Sequence, residues 1–308
     1  MAFCFAKGDV FMGGCLQSKI DTKFDHLVKK HPCFSGEAHF NYGRIHLPVS
    51  PACNIQCKFC KRSFNKYEKR PGVAASLLTP EKALEVVDRA LELCPEITVV
   101  GIAGPGDTLA TPHALECFEL IHQKYPQLIK CLSTNGLMLK EYAEKLIKVG
   151  VKTVTVTVNA VQADILQNIC SSIIYNGQHM TGKEAALWLL LAQLSGIRKI
   201  SELGATVKIN TVLIPGVNDD HIGEIARVTA GAGASLINII PLIPQNEMAD
   251  FRPPDCTELN DARREAEKYL PVFRHCQQCR ADSCGIPGKG IDLGDVLYGN
   301  RLETFSHG

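Results

Sequence analysis

Six short runs of apolar, mostly β-branched residues recur through the middle of the chain: Ile45–Val49, Ile97–Ile102, Leu128–Ser133, Thr153–Val158, Thr206–Ile214 and Leu236–Pro241. Continuous apolar runs of this length read as strands buried on both faces. Stretches with helical periodicity separate them. Thr79-Pro80-Glu81 combines an N-cap, a proline at the first helical position and an acidic first turn, and Thr111-Pro112 repeats the start signal. Lys140–Lys148 runs up to Gly150, a C-cap glycine. Lys183–Ile200 is the longest helical pattern, and Val217-Asn218-Asp219-Asp220 is a turn leading into another helix. Strand–helix alternation repeated six times predicts parallel pairing through right-handed crossovers. The expected fold is α/β, an open, partial (β/α)6 TIM-like barrel over residues 45–250. A doubly wound sheet is the alternative that the pattern leaves open. Either architecture puts functional residues at the C-terminal ends of the strands.

The two ends break the pattern. Residues 1–44 carry Cys4, Cys15, Cys33 and histidines up to His39 without periodicity. Residues 251–308 hold one helical stretch, Thr257–Tyr269, followed by the cysteine- and glycine-rich HCQQCRADSCGIPGKG. Both are read as extensions over the barrel mouth and not as separate domains.

With 45% hydrophobic residues, the 308-residue chain can bury a large core. Its 33 basic and 32 acidic residues give no electrostatic reason to expect a nucleic-acid or membrane partner. The apolar stretch Ala185–Leu194 is far shorter than the roughly 20 residues of a membrane span. The start MAFCFAKGD has no charged segment followed by an apolar one, so a cytoplasmic location is expected. Fourteen cysteines in a long, regularly patterned chain point to reduced thiols that serve metal. Cys94, Cys117 and Cys170 fall in or beside apolar helical patterns and read as core fillers.

The chemistry concentrates after the first strand, where Cys53, Cys57 and Cys60 have the spacing C-x3-C-x2-C. Three thiolates on one loop can hold three irons of a [4Fe–4S] cubane and leave the fourth open. An open iron is what the amino and carboxylate groups of S-adenosylmethionine (SAM) chelate. One electron from the cluster then cleaves SAM to a 5′-deoxyadenosyl radical. Phe59 before the last cysteine is usual for the radical SAM superfamily. A structural zinc site, the alternative, would need a fourth ligand. Further candidates for SAM binding sit at the following strand ends: Gly104, Pro105, Gly106 and Asp107, then Ser133, Thr134 and Asn135, then Asn159, with Lys208 and Asn210 on the fifth strand. Singly, each of these reads equally well as a turn or capping residue.

A second group of ligands is in the tail. Cys276 and Cys279 form a CxxC followed by Cys284, suited to another iron–sulfur cluster, with zinc as the alternative. Cys33 in the N-terminal arm, His46 on the first strand and Cys131 on the third are candidates for one more cluster. His46 or Cys131 alone would read as a core residue.

Together these segments resemble the NifB family of nitrogenase cofactor-maturation proteins. The resemblance runs over residues 31–285: His31-Pro32-Cys33, Ile45-His46, SPACNIQCKFC, Arg70-Pro71-Gly72-Val73, Ala103–Asp107, Cys131–Gly136, Ile214–Asp219 and Cys276–Gly285. It implies a SAM-binding [4Fe–4S] cluster and two precursor [4Fe–4S] clusters, fused into an [8Fe–9S–C] core. The carbide derives from the SAM methyl group by methyl transfer and radical hydrogen abstraction, and a ninth sulfur is added. Cys33, His46 and Cys131 would hold one precursor, and Cys276 and Cys279 the other, with Cys284 a possible third ligand. The resemblance further implies a ferredoxin- or flavodoxin-type electron donor, an iron–sulfur cluster donor, a downstream cofactor carrier and an anaerobic or oxygen-protected setting. The family's RxDAxG motif reads Arg280-Ala281-Asp282-Ser283-Cys284-Gly285, with Ser283 in place of alanine. The chain stops at Gly308, leaving no length for the NifX-like domain many relatives carry, so hand-over would need a separate carrier. Two other functions remain open: a radical SAM enzyme with a stable auxiliary cluster, of the molybdopterin-precursor or peptide-modifying type, and a non-catalytic cluster scaffold.

Overall fold

In the computed structural model, which describes residues 28–298 and 305–307, the six apolar runs are strands; Cys4 and Cys15 lie outside the described residues. The strands are β1 (Gly43–His46), β2 (Ile97–Ile102), β3 (Ile129–Thr134), β4 (Val151–Thr157), β5 (Thr206–Leu213) and β6 (Leu236–Pro241). They pair in parallel in the order β6–β5–β4–β3–β2–β1. A short antiparallel strand, β7 (Cys284–Gly285), is added beyond β1. β6 and β1 are not paired with each other, so the curled sheet is an open half-barrel. β1 ends at His46, earlier than the run Ile45–Val49 suggests. Pro48 has no N–H to give to a ladder, and the chain turns off after Leu47 donates to Gly101 O.

Helices cover the outer face. Pro80–Leu93 starts where the sequence signals it, with Thr79 Oγ1 accepting from Lys82 N. His113–Lys124 starts one residue late and lacks a side-chain cap, because the Thr111 hydroxyl pairs with His113 Nδ1 instead. Leu139–Lys148 leads to Gly150 at φ 83°, in the left-handed region. Their apolar faces and those of Gly182–Glu202, Ile222–Gly231 and Cys256–Glu267 pack on the outward side chains of the strands, such as Ile45, Val100, Leu132, Val154 and Ile237. Among the described residues no helix is long and apolar enough to cross a membrane.

The C-terminal segment seals both free edges of the half-barrel. At one edge Ile237 N donates to Pro271 O and Phe273 N to Ile237 O. At the other, β7 pairs with β1. Cys276 and Cys279 lie on the stretch that bridges the gap. The N-terminal arm does not lie across the mouth as expected. Its Phe34 packs on Val99, Ile129, Leu236 and Phe273, near the starts of β2, β3 and β6, and Thr98 Oγ1 donates to Lys30 O. The arm therefore plugs the barrel from the N-terminal ends of the strands. Phe34 and Phe273 give it an apolar seat there.

Outside the barrel, short strands form that have no counterpart in the apolar pattern. The hairpin Cys170–Tyr175 and Gln178–Thr181 turns at Asn176-Gly177, both at positive φ, and pairs with Ile55–Cys57. The cysteine loop is thus the third strand of a small sheet.

Candidate active site

Inside the half-barrel, side chains that alternate along each strand face one cavity of about 350 Å³. Cys53, Cys57 and Cys60 are half-buried free thiols on its wall. The loop that carries them is held from two sides. Lys58 N donates to Ile169 O and Cys60 N to Cys57 O within a turn. From the end of β2, Gly106 N donates to Ser50 O and Asp107 N to Ala52 O. A Cβ on Gly106 would come within 2.1 Å of Ala52 O, so only glycine allows this approach. Asn135 Nδ2 donates to Asn54 Oδ1 at 2.7 Å and reaches Cys53 Sγ at 3.8 Å.

A second group of thiols lines the same cavity. Strand register sets His46, Gly101 and Cys131 side by side on β1, β2 and β3. Gly101 leaves room for the His46 ring, whose Cδ2 would lie 3.0 Å from a Cβ there. Cys33 is held below by Lys208 Nζ, which donates to its carbonyl at 2.9 Å and rests over the Phe34 and Phe273 rings. Cys279 Sγ accepts from Arg44 Nη2 at 3.0 Å.

Electrostatics separates the two groups. Burial pushes the Cys53 thiol up to about 12, and Asp107 adds to it. Cys57 is raised by burial and by the neighbouring thiols Cys170, Cys60 and Cys53. Cys33 is raised by burial and feels Lys208, Arg44, Cys279 and Cys276, while Cys131, at about 12 through burial, feels Lys208 and Cys33. Burial, with Arg44 nearby, lowers His46 to about 3, so its ring is neutral. Buried thiols that resist ionisation in the bare protein are stable as thiolates once iron supplies the positive charge. Among the described residues no three Cys, His, Asp or Glu side chains are arranged around a single ion. A cubane asks for a wider spacing, because each thiolate binds a different iron. The donor set of Cys53, Cys57 and Cys60, three thiols on one pinned loop facing a cavity, fits a cubane with one open iron.

The other predicted site residues divide. Pro105, Gly106, Asp107, Ser133, Thr134, Asn135, Asn159, Lys208, Asn210 and Cys276 line the cavity, whereas Gly104 and Cys284 do not. The Asp107 carboxylate is used within the protein, accepting from Thr134 Oγ1, Asn135 N and Leu109 N. It positions Asn135 and has little left for a ligand. Lys208 belongs to the Cys33 side. Cys284 pairs with Ile45 in the β1–β7 ladder and is buried in the outer core with it, on the face away from the cavity. This removes it from the candidate ligands, since alternation along β7 sends its side chain the wrong way. Cys94, Cys117 and Cys170 are core residues, and Cys170 also sits beside Cys57 where the core meets the cavity wall. Arg44 and Gln193 were not among the sequence candidates. Arg44 precedes His46 by two on a strand, which is the signal that puts both on one face. Gln193 Nε2 donates to Asn135 O and Thr157 O from the long helix, and nothing in a helical pattern marks it.

The model of the radical SAM superfamily matches residues 47–229. In fold, the chain is similar to a radical SAM methyltransferase from Sphaerobacter thermophilus, at TM-score 0.55 and 20% identity over 75% of this chain and 65% of that one. It is also similar to methylornithine synthase (PylB), at TM-score 0.52 and 16% identity over 80% of this chain and 67% of that one. In sequence it is 49% identical over 267 residues to the FeMo cofactor biosynthesis protein NifB of Methanocaldococcus infernus, covering 86% of this chain and 88% of that one. To NifB of Azotobacter vinelandii it is 37% identical over 310 residues, covering 95% of this chain and 61% of the relative. The agreement runs through the cysteine loop, the barrel and most of the remaining chain, and the chain belongs to the radical SAM superfamily and, within it, to the NifB family.

Proposed function

We propose that this protein fuses two [4Fe–4S] clusters, bound as substrates, into an [8Fe–9S–C] core for the nitrogenase cofactor, with carbide derived from SAM and one added sulfur. The observation that carries the reading is a single cavity shared by two separate thiol neighbourhoods. Cys53, Cys57 and Cys60 would hold the resident cluster. When SAM is bound there, the pair supplies a methyl group and one-electron cleavage chemistry. Cys33, His46 and Cys131 would bind one substrate cluster. Cys276 and Cys279 would bind the other, with no protein thiol from Cys284. A two-thiol set leaves that substrate less firmly held, which suits a cluster that has to rearrange. Asn135 orients the loop through Asn54, the arm closes the N-terminal end of the barrel and the tail spans its open side. An electron donor, a source of clusters and an acceptor of the product are required by the reaction. Anaerobic loading with iron and sulfide, then SAM and reductant, followed by spectroscopic and elemental identification of the cluster, tests the reading. An eight-iron carbide-containing product is expected from the parent, and none from Cys57→Ala, which should also give no 5′-deoxyadenosine. Recovery of only stable four-iron clusters, with SAM cleaved normally, would favour a radical SAM enzyme with an auxiliary cluster.

A further inference from the structure

The charged side chains lining the cavity are strongly one-sided. Arg44, Lys61, Arg62, Arg70 and Lys208 are basic, and Asp107 alone is acidic. Asp107 is engaged by Thr134, Asn135 and Leu109 beside the cysteine loop, and of the five cations Arg70 has its own partner in Glu68. Arg44 is the most deeply committed of the five. It is 4% exposed, its Nη1 donates to Gly285 O at 3.2 Å, and its Nη2 donates to Cys279 Sγ at 3.0 Å. Its Nε is buried and without a hydrogen-bond partner among the described residues. Cys279 and Cys33, together with Asp292, are the groups whose charge would favour its charged form, and the two sulfurs carry that charge only as thiolates bound to iron. A guanidinium buried with so little compensating charge is costly unless an anion is bound beside it. Lys208 differs, because its ammonium is spent on the Cys33 carbonyl and two aromatic rings on one side of the cavity.

We propose that Arg44 is the cation shared by the two substrate sites, its guanidinium set between Cys33 of one and Cys279 of the other to offset the negative charge of two thiolate-bound clusters brought together. The inference rests on the cluster-fusion reading and adds what that reading lacks, a reason why two anionic substrates tolerate one cavity. Arginine suits the task because its planar fork donates in several directions at once and stays charged at any working pH. Hydrogen bonds from a cation to cluster sulfur also make the cluster easier to reduce.

The test uses the full chain loaded anaerobically with iron and sulfide, as parent, Arg44→Met and Arg44→Lys. Iron per chain, the rate at which a chelator strips it and the midpoint potentials followed by paramagnetic resonance are measured, with the SAM cluster's signal as internal reference. In Arg44→Met, the substrate clusters should show lower midpoint potentials than in the parent. They should also lose iron about tenfold faster, as expected on removing a charge-assisted hydrogen bond. Arg44→Lys should fall between. Potentials and stripping rates in Arg44→Met equal to the parent's would overturn the inference while leaving the functional reading intact. A parent that takes up only one cubane's iron would overturn the functional reading and the inference with it. If circular dichroism shows Arg44→Met unfolded, the same comparison is made with Arg44→Lys and Arg44→Gln, and unchanged potentials there count equally against the inference.

Discussion

Two histidines in the cavity wall are held in opposite tautomers, and this decides what each can do. His46 Nδ1 lies 3.2 Å from Arg280 O, and a carbonyl only accepts, so Nδ1 carries the proton and the Nε2 lone pair is left for iron. His31 Nδ1 instead accepts from Cys33 N at 3.1 Å, which puts its proton on Nε2, where it is buried without a partner. His31 is set to donate a hydrogen bond, not to ligate. We therefore predict that His46→Ala loses the nitrogen coupling of reduced, SAM-free, cluster-loaded protein in pulsed paramagnetic resonance and keeps the SAM cluster. If the coupling persists, His39 is the ligand to examine. Its Nδ1 faces Pro32 O at 3.0 Å, and this again leaves Nε2 unprotonated. The sequence could single out His46 by its place on a strand before the cysteine loop. It could not give the tautomer, because Arg280 lies 234 residues further along the chain.

At the scale of elements, the cysteine loop is a thin layer clamped between the end of β2 and the hairpin Cys170–Tyr175 and Gln178–Thr181. The clamp has almost no slack at Gly106. We predict that Gly106→Ala displaces Ala52 and its neighbours, costing on the order of 1–3 kcal/mol of stability by overpacking. The SAM-cluster signal and 5′-deoxyadenosine yield should fall together. A normal yield would mean that the loop can shift without consequence. Gly104, Pro105 and Gly106 read from the sequence as candidates for SAM binding. Gly106 lines the cavity and also admits the backbone of the cysteine loop. The barrel strands were legible because they are buried on both faces and leave long apolar runs. The hairpin was not, since Ser171, Ser172, Gln178 and His179 break any such run, although Asn176-Gly177 is a turn signal that could have found it.

Across the whole molecule, the tail is latched by Arg280. Its guanidinium donates to Glu68 O and Asn65 O, each at 2.7 Å, and pairs with Asp282, which in turn accepts from Ala75 N. The sequence marked these residues as a motif, but pattern and period carry no information on contacts more than 200 residues apart, nor on which end of the barrel the arm enters. We predict that Arg280→Ala loosens the tail without unfolding the barrel. Amide exchange should quicken over residues 276–290, and iron beyond the SAM cluster should be lost. Unchanged exchange in that segment would show the latch to be dispensable. The closure of both barrel edges by the tail also bears on how the protein is born. Cys53, Cys57, Cys60 and the end of β2 that pins their loop are translated well before the wall carrying Cys276 and Cys279 and the strand that caps β1. Until then His46 lacks the Arg280 carbonyl that fixes its ring, and Arg44 lacks Cys279. A nascent chain can thus acquire its resident cluster early. On the cluster-fusion reading, a chain made only that far has the Cys33, His46 and Cys131 side of the cavity without the Cys276 and Cys279 side, and cannot yet join two clusters.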